Sequence, residues 1–401
     1  MMPTKLLHAM AQAGASDLHA SQDGQLWLRI HGQLQRYDVE PTSWKELEAW
    51  VTECSPEGLT GRDLEGSLTL EGVGRFRTHL YRSMGLWSVV IRAIPMDPPT
   101  LEQLALPAIL KRVVGLSRGL VLVTGATGSG KSTTLASLLG EINRTLPRHI
   151  VTIEDPVEFV HTPKRSRISQ REVGRDTEGF ASAMRSALRE DPDVILVGEM
   201  RDPETMDVAL KAAETGHLVF STAHTPDAIR TIARLVAMFP PETQRLVRLR
   251  LADNLGAIIS QRLVRRADGQ GRIAAMEIVL GSKSTAEAVG DPAKTGELLD
   301  LVERSREGQS FEMHLVQLYL SGAITLDEAK EASTNPADLE RALKFGAVSQ
   351  GKLTTDEEQI LLQRNETGAT LKETKDSGDA KLEELFKRKK QSSESESSDP
   401  S

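Results

Sequence analysis

The sequence predicts an α/β protein: a small α+β unit first, then strands and helices alternating around a parallel sheet. Short β-rich runs at Leu120 to Thr124, Ile150 to Ile153, Val194 to Val197 and Leu218 to Thr222 carry most of this reading. Helical stretches at Lys131 to Asn143, Phe180 to Arg189 and Thr205 to Glu214 separate them. Such alternation covers both faces of a parallel sheet with helices. The second observation is the segment Pro95-Met96-Asp97-Pro98-Pro99-Thr100, whose prolines withhold backbone donors from helix or sheet and mark a linker.

The elements follow in order. Alternating apolar residues in Leu26-Trp27-Leu28-Arg29-Ile30 and Ser67-Leu68-Thr69-Leu70 predict strands, with turns at Asp23-Gly24 and His31-Gly32. Arg75 to Tyr81 and Trp87 to Ile91 predict two more around a turn near Gly85. Ser43 to Cys54 fits a helix, with Ser43 as N-cap and Glu46 completing a capping box. From about Phe239-Pro240-Pro241 the chain reads as mostly helical, and the basic groups Gln244 to Arg250 and Arg262 to Arg266 read as exposed helix face and interface. Thr325-Leu326-Asp327-Glu328 has capping-box spacing, and Gly322 stands where a helix should stop. After about residue 350 the chain is polar, and its Ser/Glu-rich end, Gln391 to Ser401, reads as disordered. The expected organisation is residues 1–95, a linker at 96–100, a strand–helix domain at 101–280, a helical region at 281–349 and a polar tail at 350–401.

Composition narrows the function classes. A chain of 401 residues exceeds one comfortable core. No apolar stretch reaches the roughly 20 residues that span a bilayer. Met1 to Ala20 carries Lys5, His8 and Asp17 and no signal-like apolar run, so the expectation is a cytoplasmic protein with only peripheral membrane contact. The single cysteine, Cys54, excludes a disulfide framework and a tetracysteine zinc module. A net charge of −8, with no aromatics among the basic groups, weighs against a nucleic-acid motor, the competing reading from another class. Lys387 to Lys390 reads as a solvated charge run because acids surround it.

The chemistry centres on Gly125-Ala126-Thr127-Gly128-Ser129-Gly130-Lys131-Ser132, followed by Thr133, between an apolar strand and a helix. Glycines let this backbone wrap phosphates while the new helix presents its N–H groups to the anion. Lys131 is expected on the β- and γ-phosphates and Ser132 on Mg2+, making this the phosphate loop of an ATPase. Val194-Ile195-Leu196-Val197-Gly198-Glu199 ends a strand in an acid that fits the Mg2+ shell or polarises water. Ile153-Glu154-Asp155-Pro156-Val157-Glu158 gathers carboxylates at another strand end, and Glu154 is the expected general base. Glu158 reads as structural. His217 and His224 bracket a strand; His224, on the catalytic edge, is placed to sense the γ-phosphate or to bind a neighbouring carboxylate. Arg77 and Arg92 act only if one subunit reaches another's nucleotide, as arginine fingers do.

Together these residues resemble the type IV pilus retraction (twitching motility, PilT-type) ATPases of the secretion ATPase superfamily. The resemblance runs from about residue 3 to 345. Its landmarks are Gly14 to His19, Arg75-Phe76-Arg77, Arg118 to Gly125, Ile150 to Pro156 and Gln170 to Gly174. Further along come Arg189 to Asp193, Gly198 to Asp202, the histidine box at His224, and Ser260 to Leu263. It implies a PAS-like N-terminal domain, a RecA-like ATPase domain and a ring of six subunits that binds ATP and Mg2+ between domains. It also implies Glu154 as catalytic glutamate, Glu199 as Walker B acid and Arg77 and Arg92 as nucleotide-facing arginines. Hydrolysis would move one domain against the other around the linker. The ring would act on an inner-membrane pilus platform protein at the inner face of the membrane, beside other pilus ATPases. One cysteine and a short N-terminal region separate this chain from the assembly and secretion branch, which carries a tetracysteine insertion and an extra N-terminal domain.

The chain departs from the family at three motifs, and its tail beyond 350 has no counterpart in the compact members. Ala126 replaces a proline, Ala223 precedes His224 in place of the usual leucine, and Ala286 to Pro292 lacks the two arginines of the family's retraction block. That last change raises a second reading, an accessory pilus ATPase that depends on another retraction motor.

Overall fold

The computed structural model describes residues 2–22, 25–30, 32–37, 63–305, 308–337, 339–341 and 343. The expected turn at Asp23-Gly24, the helix from Ser43 to Cys54 and the tail beyond 350 lie outside them. Contacts gather Met1–Thr334 into one unit.

The N-terminal residues build a six-stranded antiparallel sheet from β1 (Ala15–Ser21), β2 (Leu26–Ile30), β3 (Gln33–Arg36), β4 (Asp63–Leu70), β5 (Gly74–Ser83) and β6 (Leu86–Ile94), in the order β3-β2-β1-β6-β5-β4. Period-two burial in β5 sends Phe76, Thr78 and Leu80 inward. A helix at Met2–Gln12 adds Leu6, Leu7 and Met10 to the same core, beside Leu18, Leu28 and Ile91. The β5–β6 turn falls at Met84 and Gly85, both with positive φ, as Gly85 predicts.

The second sheet has eight strands: β7 (Gly119–Thr124), β8 (His149–Glu154), β9 (Arg167–Glu172), β10 (Val194–Val197), β11 (Leu218–Ala223), β12 (Leu255–Arg265), β13 (Arg272–Leu280) and β14 (Gly308–Gln309). Their order is β14-β13-β12-β7-β11-β10-β8-β9. From β12 to β9 every neighbouring pair is parallel. β7, β10 and β11 are buried at every residue, which is why they read as unbroken apolar runs. The helices Lys131–Thr145, Phe180–Ala187 and Pro203–Glu214 stand where strand–helix alternation places them.

One stretch overturns its expected form. Residues Leu255–Arg265 and Arg272–Leu280 are an antiparallel hairpin, so Arg262 and Arg265 lie on a strand and not on a helix face. Ile258, Ile259 and Val264 favour the extended backbone, and Gly269 (φ 71°) and Gly271 (φ 80°) make the turn. The helix Pro241–Asn254 does form, with Arg245 exposed, but two of its basic side chains are engaged: Arg250 meets Asp207 and Glu214, and Arg248 donates to the Val289 carbonyl. Helices at Lys283–Gly290, Leu298–Ser305, Phe311–Leu320 and Leu326–Ala332 follow, with Thr325 capping the last through the Glu328 N–H.

The proline segment is fastened to the larger sheet's side. Asp97 N–H donates to the Val160 carbonyl (2.9 Å), Asp97 Oδ1 accepts from Thr162 N–H (3.1 Å), and Ser137 Oγ donates to the Pro99 carbonyl (2.7 Å). A second tie joins the sheets directly: Arg75 on β5 pairs with Glu172 on β9 at 2.9 Å, and Arg175 donates to Ser67 Oγ on β4.

Candidate nucleotide-binding site

The carboxyl ends of β7, β8, β10 and β11 open onto a cleft of about 580 Å³. Ligands of open α/β sheets bind at this edge, and the size suits a small molecule. Thr127, Gly128, Gly130, Lys131, Ser132 and Thr133 line one wall; Glu154, Glu199 and His224 line the others. Residues read separately along the sequence are thus brought to one place. Gly125, Ala126 and Ser129 of the same loop do not line it.

The loop's shape demands its glycines. Gly125 has φ 146° and Gly130 φ 86°, and a Cβ on Gly125 would meet the Gln261 carbonyl oxygen at 2.4 Å. The helix starting at Lys131 directs its first N–H groups toward the cleft, as an anion requires. Ser129 Oγ is buried with no partner among the described residues, so a polar donor is free at the loop. Lys131 is buried and donates to the carbonyls of Gly125 (2.9 Å) and Ala126 (3.0 Å). Burial lowers its ammonium pKa, while Glu199 and Glu158 oppose that shift.

Glu154 ends β8 and is held in place. Its Oε1 accepts from Thr152 Oγ1 at 2.6 Å and Gln170 Nε2 at 3.1 Å. Burial raises its carboxyl above the ordinary carboxylate range, more than these hydrogen bonds lower it. Glu199, just past β10, pairs with Arg201 at 2.7 Å and lies 3.4 Å from His224 Nε2. Burial pushes this carboxyl up too, but Arg201 and His224 outweigh it, and its pKa falls below the ordinary value. No group of three or more His, Cys, Asp or Glu among the described residues forms a metal cage. Ser132 and Glu199 both line the cleft, and a hydroxyl and a carboxylate are the donor types that could hold a Mg2+ whose other ligands are water and phosphate oxygens.

Arg77 and Arg92 do not line this cleft. They face each other in the β5–β6 register and are paired, Arg77 with Glu65 at 2.9 Å and Arg92 with Asp17 at 2.7 Å. His217 is also remote, its Nδ1 2.9 Å from the Ala212 carbonyl. Glu158, read as structural, lines the cleft and is exposed. Three residues escaped the sequence reading as site components: Gln170 on Glu154, Arg201 on Glu199 and Gln261 beneath the loop. All three lie in runs that carry the family resemblance, but only tertiary contacts reveal what they touch.

The type II/IV secretion system protein family model matches residues 83–330. The type IV pilus retraction ATPase PilT of Pseudomonas aeruginosa (strain PAO1) is 43% identical over 341 residues, covering 83% of this chain and 98% of that protein. The type IV pilus ATPase PilU of the same strain is 37% identical over 352 residues, covering 86% of this chain and 92% of its own length. Among solved structures, the crystal structure of the pilus retraction motor PilT with bound ADP superposes with a TM-score of 0.76 at 40% identity, covering 84% of this chain and 98% of that one. The chain is an ATPase and belongs to the type II/IV secretion system protein family.

Proposed function

We propose that this chain is the subunit of a hexameric motor that couples ATP hydrolysis to type IV pilus retraction, the removal of pilins that drives twitching motility. The observation that carries the reading is the 43% identity to a pilus retraction ATPase over 98% of that protein's length. The six-stranded sheet is read as the PAS-like domain and the eight-stranded sheet as the RecA-like ATPase domain, with boundaries at 1–95, 101–280 and 281–349.

In this reading residues 125–133 hold the phosphates of ATP, with Lys131 on the β- and γ-phosphates. The two carboxylates divide the work because their surroundings drive their pKa values apart. Glu154, the more basic, takes the proton of the attacking water, and Gln170 and Thr152 hold it in position. Glu199 stays ionised. Mg2+ bound by Ser132 and, through water, by Glu199 would neutralise charge on the phosphates. His224, beside Glu199, reports the γ-phosphate. Arg77 and Arg92 serve a neighbouring subunit's nucleotide, which requires them to leave Glu65 and Asp17. The motor's place is the cytoplasmic side of the inner membrane, on the pilus platform protein. Among the described residues no helix is long and apolar enough to cross a membrane.

A second reading has its own support: Ala286 to Pro292 contains no arginine, and PilU aligns along most of the chain. In that case the protein assists another retraction motor. Expression in Pseudomonas aeruginosa lacking PilT separates the two. Restored twitching supports an autonomous motor, and failure of well-expressed protein to restore it contradicts that reading in favour of the accessory one.

A further inference from the structure

Gln261 lies on β12, and its carboxamide reaches under the phosphate loop with both ends occupied. Nε2 donates to the Ser129 carbonyl at 2.6 Å, and Oε1 accepts from Thr134 Oγ1 at 2.7 Å. The side chain is 3% exposed, so neither bond is shared with water. The two partners fix the amide's orientation, because a carbonyl can be met only by the NH2 end.

We propose that Gln261 is a positioning residue for phosphate binding, acting through the peptide between Ser129 and Gly130. The C=O and N–H of a trans peptide point in opposite directions from one plane. Drawing the Ser129 carbonyl down onto Gln261 therefore turns the Gly130 N–H up, toward the cleft that Gly130 lines. A concavity of N–H groups is what binds an anion. The hydrogen bond from Thr134, in the first turn of the helix beginning at Lys131, holds the carboxamide at the depth this requires. The loop packs closely on this residue: a Cβ on Gly130 would meet the side-chain Nε2 of Gln261 at 2.9 Å, and one on Gly125 would meet its backbone carbonyl oxygen at 2.4 Å. A side chain is disfavoured at Gly130 by its positive φ of 86°, and at Gly125 by both its φ of 146° and the backbone contact.

Strand β12 carries the opposite tie on the next residue. Arg262 donates to the Ala332 carbonyl (2.6 Å) and Thr334 Oγ1 (2.9 Å), and its guanidinium lies 4.0 Å from the Phe311 ring centre. One strand thus joins the phosphate loop to the helices that follow the hairpin, and Gln261 is its contact on the nucleotide side.

The inference rests on residues 125–133 being the phosphate loop, and the test separates the two. The variant Gln261→Met keeps the length and removes both hydrogen bonds. With full-length protein, the ADP dissociation constant and the KM for ATP should rise about tenfold, the weight of one lost hydrogen bond to an anion. The kcat should stay within about threefold, since ground and transition states lose the same contact. Thr134→Val, which frees only Oε1, should shift affinity the same way by a smaller factor and serves if the first variant does not fold. ADP affinity unchanged in a folded variant, with only a lower melting temperature, would make Gln261 a plain core strut and overturn the proposal. Lys131→Ala is the control: if it too binds ADP normally, the phosphate-loop assignment itself fails.

Discussion

Glu154 and Glu199 line one cleft, yet burial prevails at Glu154 and raises its carboxyl, while at Glu199 burial yields to Arg201 and His224. If Glu154 is the base, it works only when ionised. Activity should therefore fall as pH drops through its raised pKa, giving kcat/KM an acid limb above the ordinary carboxylate range of about 4.3. Glu154→Gln should lower kcat by about 10²–10⁴-fold while leaving ADP affinity intact, and what turnover remains should lose that limb. An acid limb that persists in the variant would assign the base elsewhere. Glu154, Glu199 and His224 were legible because each sits at or just past the end of an apolar strand, at the edge where parallel sheets bind ligands. Gln170 and Gln261 were not, since the atoms they hold belong to other strands and a loop distant in sequence.

At the scale of elements, the hairpin β12–β13 is where the sequence reading went astray. Its strands are buried on both faces, so no period of two separates inside from outside. The signals present were β-branched pairs such as Ile258-Ile259 and the Asp268-Gly269 turn. The hairpin also brings in the buried Glu277, whose Oε1 accepts from Ala228 N–H at 2.8 Å, at the start of the helix Ala228–Ala237, and from Ser260 Oγ at 3.2 Å. Burial pushes this carboxyl up to about 7, with Asp227 and Glu312 adding to the shift. A carboxyl with a raised folded pKa favours the folded state fully only below its unfolded pKa. That contribution is lost as pH rises toward about 7, and it amounts to on the order of 3 kcal/mol. Glu277→Gln keeps the acceptor and cannot ionise. It should raise the melting temperature at pH 8 and leave it nearly unchanged at pH 4.5; equal effects at both values would show that Glu277 does not titrate in this range.

Over the whole molecule, the strand–helix alternation foretold the four central strands of the larger sheet, β7, β11, β10 and β8, because buried parallel strands announce themselves as apolar runs. The proline segment was legible as a boundary but not as a docked one, since Val160, Thr162 and Ser137, which hold it, are far along the chain. With the Arg75–Glu172 pair it makes two ties between the sheets, and a movement of one sheet against the other would strain or break them. That motion, performed on pili, is the central claim, and it joins cleft chemistry to cell behaviour. The most direct test is twitching and surface pilus number in the native strain carrying Glu199→Gln, a change of one carboxylate that keeps the shape of the site. The account predicts piliated cells that do not twitch. Normal twitching with normal pilus numbers, from a protein made at wild-type level, would contradict it.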